Sequence, residues 1–285
     1  MGISGNLEYL SDHASKTVNA VTAPTIHKKF YFTSIICLPY KEVLMKRSEI
    51  NKIINETIDY MKGRDFPLPP FAYWGKKDWE NAGNEYQEIV DNMLGWDITD
   101  FGTGDFEHYG LTVFTFRNGN FHNKEKYPKP YAEKLLLVND GQILPYHYHW
   151  SKMEDIINRG GGDLELTLYN ATPADFNDVE GGRSGKPGTF DSTPVTVHID
   201  GCEQTFPAGT TITLKPGQSI TLTQGQYHTW RGVPGTGKVM LFEVSMTNDD
   251  HLDNRFKTAA GRIPEVEEDE EIEHLMFADY DKVRK

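Results

Sequence analysis

The stretch Gly141-Gln-Ile-Leu-Pro-Tyr-His147-Tyr-His149-Trp-Ser-Lys152-Met-Glu154, followed by Gly161, has the spacing Gly-x5-His-x-His-x4-Glu-x6-Gly. Side chains alternate along a strand, so two histidines two residues apart present both imidazoles to one face. The strand turns soon afterwards, which lets Glu154 swing back to the same point. A bare His-x-His is more often an incidental pair on an edge strand. Here a carboxylate, flanking glycines and a further histidine accompany it, in Gly217-x5-Thr223-x-Gly225-x2-His228. Three imidazoles and a carboxylate, with room for water or substrate oxygens, suit a six-coordinate ion such as Mn²⁺ or Fe²⁺. Zn²⁺, Co²⁺ and Ni²⁺ also accept such donors.

Around these segments, short apolar or alternating runs recur at residues 111–116, 135–138, 164–169, 195–199, 211–214, 220–222 and 239–244. Turn formers such as Arg117-Asn118-Gly119, Asn139-Asp140-Gly141, Asp200-Gly201 and Lys215-Pro216-Gly217 separate them. Many short strands with Gly-rich turns predict a sandwich or a barrel. The segment 170–188, rich in Gly, Asp and Ser, reads as a mobile or lid-like loop.

Upstream the period is helical. Ile50, Ile53, Ile54, Ile58 and Met61 share one face while Glu49, Lys52, Asn55 and Asp59 take the other, with Ser48 as N-cap and Gly63 as terminator. Phe66-Pro-Leu-Pro-Pro-Phe71 must be extended, and a second helical stretch around residues 86–93 leads into Gly95-Trp96-Asp97-Ile98, where the strand period begins. Residues 1–44 lack either period, and Met45-Lys46-Arg47-Ser48 resembles an ordinary protein start. The first 44 residues are therefore a dispensable extension or misassigned start, or else an arm that packs on the barrel or on a second subunit.

The chain is 285 residues long, enough for one main domain with a substantial core. With 29 Lys and Arg against 42 Asp and Glu, its formal charge of -13 repels phosphate backbones and argues against a nucleic-acid partner. Cys37 and Cys202 form neither a disulfide framework nor a CxxC site, which fits a reducing cytoplasm. The most apolar run, residues 30–38, is too short to cross a bilayer, so no membrane association is expected. The acidic stretch 265–273 reads as a solvated face or a helix start.

The first histidine segment resembles the first cupin motif at every fixed position. The second resembles the second motif, with Thr223 where Pro is usual and Gly232 where the pattern ends in Asn; neither departure removes a donor. The resemblance implies a mainly β, cupin-type double-stranded β-helix (jelly-roll) barrel over residues 45–285, with helices of residues 45–95 packed on it. A cupin metal can isomerise, oxygenate, decarboxylate or merely stabilise the barrel, so the reaction has to be read from other residues.

Four longer phrases are similar to bacterial D-lyxose ketol-isomerases: Asn92-Met-Leu-Gly-Trp-Asp-Ile-Thr-Asp-Phe-Gly102, Tyr127-Pro-Lys-Pro-Tyr-Ala-Glu-Lys134, His149-Trp-Ser-Lys-Met-Glu-Asp-Ile-Ile-Asn-Arg-Gly-Gly-Gly162, and Glu243-Val-Ser-x3-Asn248-Asp-Asp-x2-Asp-Asn254. The similarity runs from about Met45 to the C-terminus, and it implies a Mn²⁺-dependent interconversion of D-lyxose with D-xylulose, and more slowly of D-mannose with D-fructose. Cupin edges commonly pair, so a homodimer is expected. Moving a carbonyl between C1 and C2 needs an electrophile at oxygen and a base at carbon. Glu243, ending an apolar strand, is the candidate base, its pKa expected to rise by desolvation; a salt bridge is its alternative role. Lys152, between two metal ligands, is the candidate for stabilising an enediolate oxygen or shuttling a proton, or else a solvated loop lysine. Lys134 and Asp249 are candidates for holding sugar hydroxyls, and Trp96 for an apolar wall under the ring. An Fe²⁺-dependent dioxygenase and a noncatalytic sugar-binding cupin are the competing functions.

Overall fold

The computed structural model describes residues 44–247, 249–263 and 265–283, all within the compact unit Lys41–Lys285. Expectations about residues 1–43 lie outside the described residues. The strands are β1 (Met45–Lys46), β2 (Gly95–Thr99), β3 (Leu111–Arg117), β4 (Tyr131–Val138), β5 (Ile143–His149), β6 (Glu154–Gly161), β7 (Leu164–Asn170), β8 (Val195–Ile199), β9 (Cys202–Phe206), β10 (Thr211–Leu214), β11 (Ser219–Leu222), β12 (Gln226–Gly232), β13 (Val239–Met246), β14 (Asn254–Phe256) and β15 (Val266–Glu267). An eight-stranded sheet runs β2-β3-β4-β13-β6-β11-β8-β9 and a five-stranded sheet runs β10-β7-β12-β5-β14. Every pairing within these two sheets is antiparallel. This is the expected mainly β cupin barrel with an N-terminal helix on its flank.

Two apolar layers explain why the runs 135–138 and 239–242 are apolar without alternation. Leu136, Val138, Val239 and Leu241 join the barrel interior with Leu144, Ile156, Leu166, Ile220 and Trp230. On the opposite face Leu135, Leu137, Met240 and Phe242 pack with Trp96, Phe114 and the apolar stripe Ile50, Ile54, Ile58 and Met61 of α1 (Arg47–Lys62). Strands covered on both faces lose the alternating pattern. The interior register of β13 continues Val239, Leu241, Glu243, Ser245, so a carboxylate enters the barrel where the apolar run stops.

Helix α1 begins two residues earlier than its sequence suggests. Ser48 is not its cap: Lys46 holds the capping position without a side-chain bond. The cap comes instead from the acidic C-terminal stretch, whose Asp269 accepts from the Ser48 N–H at 2.9 Å and from Ser48 Oγ at 2.8 Å. Buried Arg47 pairs with Asp279 and Glu268, and Asn51 donates to the Glu271 carbonyl. The acidic stretch is thus laid along the positive end of α1, where carboxylates satisfy free N–H groups. β1 pairs in parallel with β15 at the same place, Met45 opposite Val266. The helical stretch expected around residues 86–93 is α3 (Gln87–Asp91), and a short helix the sequence left unresolved, α2 (Lys76–Asn81), completes this flank.

The segment expected to be a lid carries α4 (Pro173–Asn177) and α5 (Val179–Arg183) and is tied to the barrel by Asp175. That buried carboxylate accepts from Arg255 Nη2 at 2.5 Å and from Tyr227 Oη at 2.6 Å. Arg255 and Tyr227 stand on the outer face of strands whose inner face carries the metal-type residues, so Asp175 anchors the segment to the back of those strands.

We propose that residues 45–285 fold without the preceding 44, because Met45 and Arg47 are already buried by contacts to the C-terminal stretch. Deleting residues 1–44 should leave a cooperative melt within a few degrees of the full chain and unchanged kcat/KM. A non-cooperative melt of the truncated protein would make the segment a structural arm.

Candidate metal centre and active site

His147 on β5 and His228 on β12 face each other in register across the five-stranded sheet, and His149 lies two residues along. A set of ring nitrogens, one from each of the three buried histidines, lies within 4.8 Å of one another. Glu154 opens β6 on the other sheet, and its Oε1 approaches His228 Nε2 at 3.3 Å and His149 Nε2 at 3.4 Å. The carboxylate does not share the tight spacing of all three rings; it joins the group through these two.

The donor set passes a simple test of fit to a cation. His147 Nδ1 lies 3.0 Å from the Pro145 carbonyl and His228 Nδ1 lies 3.0 Å from the Gln226 carbonyl, contacts only an N–H can make. Burial drives both imidazoles below their usual pKa, His228 to about 4, so each ring is neutral and its Nε2 carries a lone pair. His228 Nε2 and Glu154 Oε1 are buried and have no hydrogen-bond partner among the described residues. Two acceptors facing each other at this distance repel unless a cation lies between them. The backbone carbonyls that fix the tautomers are the outer contacts usual for metal-binding histidines.

An unbroken chain of ion pairs leads away from Glu154. Its Oε2 lies 2.8 Å from Lys152 Nζ, which donates to Glu243 Oε1 at 2.6 Å. Glu243 also accepts from Ser245 Oγ at 2.8 Å and lies 3.7 Å from Lys134 Nζ, its register partner on β4. Lys134 reaches Asp250 at 3.1 Å, Asp250 lies 3.8 Å from Arg262, and Arg262 pairs with Asp97 at 2.6 Å. Lys152 sits in the short link between β5 and β6, where buried Asp253 accepts from the Ser151 and Lys152 backbone N–H groups at 2.7 and 3.1 Å.

The charges in this chain are set by their neighbours more than by burial. Burial pushes the Glu243 carboxyl up, but the ammonium groups of Lys134 and Lys152 outweigh it and hold the group below the usual carboxylate range. The rise expected from desolvation alone is therefore corrected. Burial pushes Lys152 down, and Glu154 and Glu243 hold it above its ordinary value; the same opposition keeps Asp250 well below its own.

His147, His149, Lys152, Glu154, Glu243, Lys134, Asp250 and Arg262 line one cavity, whose second, apolar wall is Phe101, Leu111, Val113, Leu136, Leu144, Trp230 and Phe256. Of the residues singled out from sequence, His147, His149, Glu154, Lys152, Glu243 and Lys134 converge here, with His228 set against Glu154 at the cavity's edge. Two do not. Trp96 is 1% exposed in the α1 layer, its indole N–H bonded to the Ala72 carbonyl, because its position on β2 faces outward; the cavity tryptophan is Trp230. Asp249 points away and accepts from His122 Nε2 at 2.6 Å and the His251 N–H at 2.8 Å, leaving the cavity to its neighbour Asp250. Trp230 was legible as the residue two beyond His228 on the same strand face. Asn254 and Phe256 alternate on β14 opposite His149 and His147, but three residues are too few to show a period. Nothing local marks Arg262.

A cupin barrel whose interior holds a histidine cluster able to bind a metal is the class that this fold and site define. Within it, the chain belongs to the D-lyxose isomerase family, whose model matches residues 45–280. It is 43% identical over 237 residues to the D-lyxose/D-mannose isomerase of Serratia proteamaculans, covering 83% of this chain and 98% of that one. The corresponding protein of Escherichia coli O157:H7 is 42% identical over 241 residues, 84% of this chain and 100% of the relative. Among solved structures, the L-ribose isomerase of Acinetobacter sp. DL28 in complex with L-ribose superposes with a TM-score of 0.50 at 15% identity, over 79% of this chain and 99% of that one, a likeness of fold. The protein is thus a sugar isomerase of this family. Among the described residues, no helix is long and apolar enough to cross a membrane.

Proposed function

We propose that the protein is a divalent-metal-dependent aldose–ketose isomerase interconverting D-lyxose and D-xylulose, with D-mannose and D-fructose as a second pair. The observation that carries this reading is the buried carboxylate of Glu243, held 2.6 Å from Lys152, itself 2.8 Å from the donor group at Glu154. A base and an acid are thereby fixed beside the place where a cation would sit. His147, His149, His228 and Glu154 would hold the ion, for which Mn²⁺ is our choice, and when bound it would polarise the oxygens on C1 and C2.

The chain's own residues then account for the proton movements. Glu243, kept ionised by its lysines, takes the proton from C2 of the aldose, and Lys152 supplies one to O1, giving a cis-enediol. Return of the carboxyl proton to C1 and of the O2 proton to Lys152 yields the ketose and restores both side chains. The two carboxylate–lysine contacts, together with Ser245, fix Glu243 for this exchange. A free sugar suits the cavity better than a sugar phosphate: Lys134, Lys152 and Arg262, the cations among its described lining residues, each already have a carboxylate as counter-charge, which leaves no net positive charge there to offset a phosphate.

Anaerobic incubation of Mn²⁺-loaded protein with D-lyxose tests the reading. Formation of D-xylulose without O₂ is the expected result. A requirement for O₂ would favour a dioxygenase, and binding without product a noncatalytic sugar-binding module; either sinks the isomerase.

A further inference from the structure

Beside the metal-type donors, two N–H groups in the cavity wall are unusual. Trp230 Nε1 and Arg262 Nη1 are buried and have no hydrogen-bond partner among the described residues. Native interiors rarely leave a donor in this state without a ligand or a water to take it. Neither side chain is loose. Trp230 follows His228 by two residues on β12, its ring centroid 5.9 Å from that of His228 and 6.3 Å from that of His147. Arg262 is held from behind by Asp97 at 2.6 Å and flanked by Asp250 at 3.8 Å. Indole and guanidinium groups can only donate. Beside Arg262, Asp250 adds to the same cavity a carboxylate, a group that accepts. A ligand that satisfies this wall must carry several oxygens able both to accept and to donate, which describes a chain of hydroxyls.

We propose that Trp230 and Arg262 are specificity-determining residues that donate to hydroxyl oxygens of the sugar on carbons beyond the pair that exchanges the carbonyl. This rests on the isomerase reading, since it assigns the reacting carbons to the region of Glu243 and Lys152. Arg262 stands apart from that region, with Lys134 and Asp250 between it and Glu243 in the ion-pair chain. Trp230 lies one step past the histidines towards Leu144, its register partner. A site that has buried donors waiting for hydroxyls rejects an analogue lacking one, because the donor is then left unpaired in the complex as well.

The test crosses two conservative variants with deoxy sugars, using the full chain loaded with Mn²⁺. Trp230→Phe keeps the aromatic wall and removes the N–H. Arg262→Lys keeps a cation for Asp97 and removes Nη1. Each should lower kcat/KM for D-lyxose about tenfold or more while leaving bound metal unchanged. Wild-type protein given the 3-, 4- and 5-deoxy analogues of D-lyxose should lose a matching factor at the hydroxyl that each donor reads, and the corresponding variant should show no further loss on that analogue. Losses that simply multiply for every variant and analogue would overturn the proposal, as would wild-type kcat/KM in both variants. Should Arg262→Lys fail to fold, Trp230→Phe and the deoxy series decide alone. Absence of any turnover of D-lyxose by the wild type would sink the isomerase reading instead. Calorimetric binding of D-arabinitol and its deoxy forms to wild type and variants then decides the donor proposal independently, by the same cross-comparison.

Discussion

Glu243→Gln should lower kcat for D-lyxose by about 10²–10⁴-fold, the range a positioned general base contributes, with KM and bound metal close to wild type. The amide preserves shape and can still accept from Lys152 and Ser245 through its oxygen, but it cannot take a proton from carbon. The variant therefore separates chemistry from binding. Its companion measurement is isotopic: product formed by the wild type in D₂O should carry deuterium at C1, because a proton resting on a carboxyl group exchanges with solvent. A hydride shift between C2 and C1 would need no base and would retain the substrate hydrogen. An active Glu243→Gln enzyme together with full retention of that hydrogen would exclude the proton-transfer route and leave the metal-type group untouched.

The same residue shows where sequence reading was strong and where it stopped. The apolar run of β13 announced a buried strand, and the first charged residue after it was legible as an inward carboxylate. Its ionisation was not, because the lysines that decide it arrive from β4 and from the β5–β6 link, and Lys134 meets Glu243 only through strand register. The histidines were legible because a two-residue spacing on a strand fixes a common face without any tertiary information. Trp96 misled for the complementary reason: both faces of β2 are buried, so its pattern carries no sign telling the cavity side from the α1 side. Asp249 and Asp250 are adjacent in an irregular segment where no period assigns direction. The cap of α1 by Asp269, more than two hundred residues away, has no local signature at all, since a helix N-terminus can be satisfied by any acceptor the fold delivers.

Replacing His147, His149 or His228 by Ala should abolish turnover at ordinary metal concentrations, because each removes one donor from a closed group. Loss of affinity should exceed the 10–100-fold usual for removing a partner that only orients a ligand. Metal content after dialysis reads this directly. A second readout needs no substrate: an ion present at a hundred times its Kd stabilises the native state by about 2.7 kcal/mol, so the wild type should melt higher with added Mn²⁺ and the variants should not. Glu154→Ala should behave differently from the histidine variants, for it also takes away one of the two carboxylates against Lys152. Breaking a buried ion pair costs about 3–5 kcal/mol when the remaining charge is left alone. Glu243 stays in place to share Lys152, so the loss of metal-free stability in Glu154→Ala should fall below that figure yet exceed that of the histidine variants. A histidine variant that keeps full metal content drops that residue from the ligand set. Equal metal-free melting of Glu154→Ala and His228→Ala would mean that Lys152 draws no support from Glu154, and the chain of charges would then begin at Glu243.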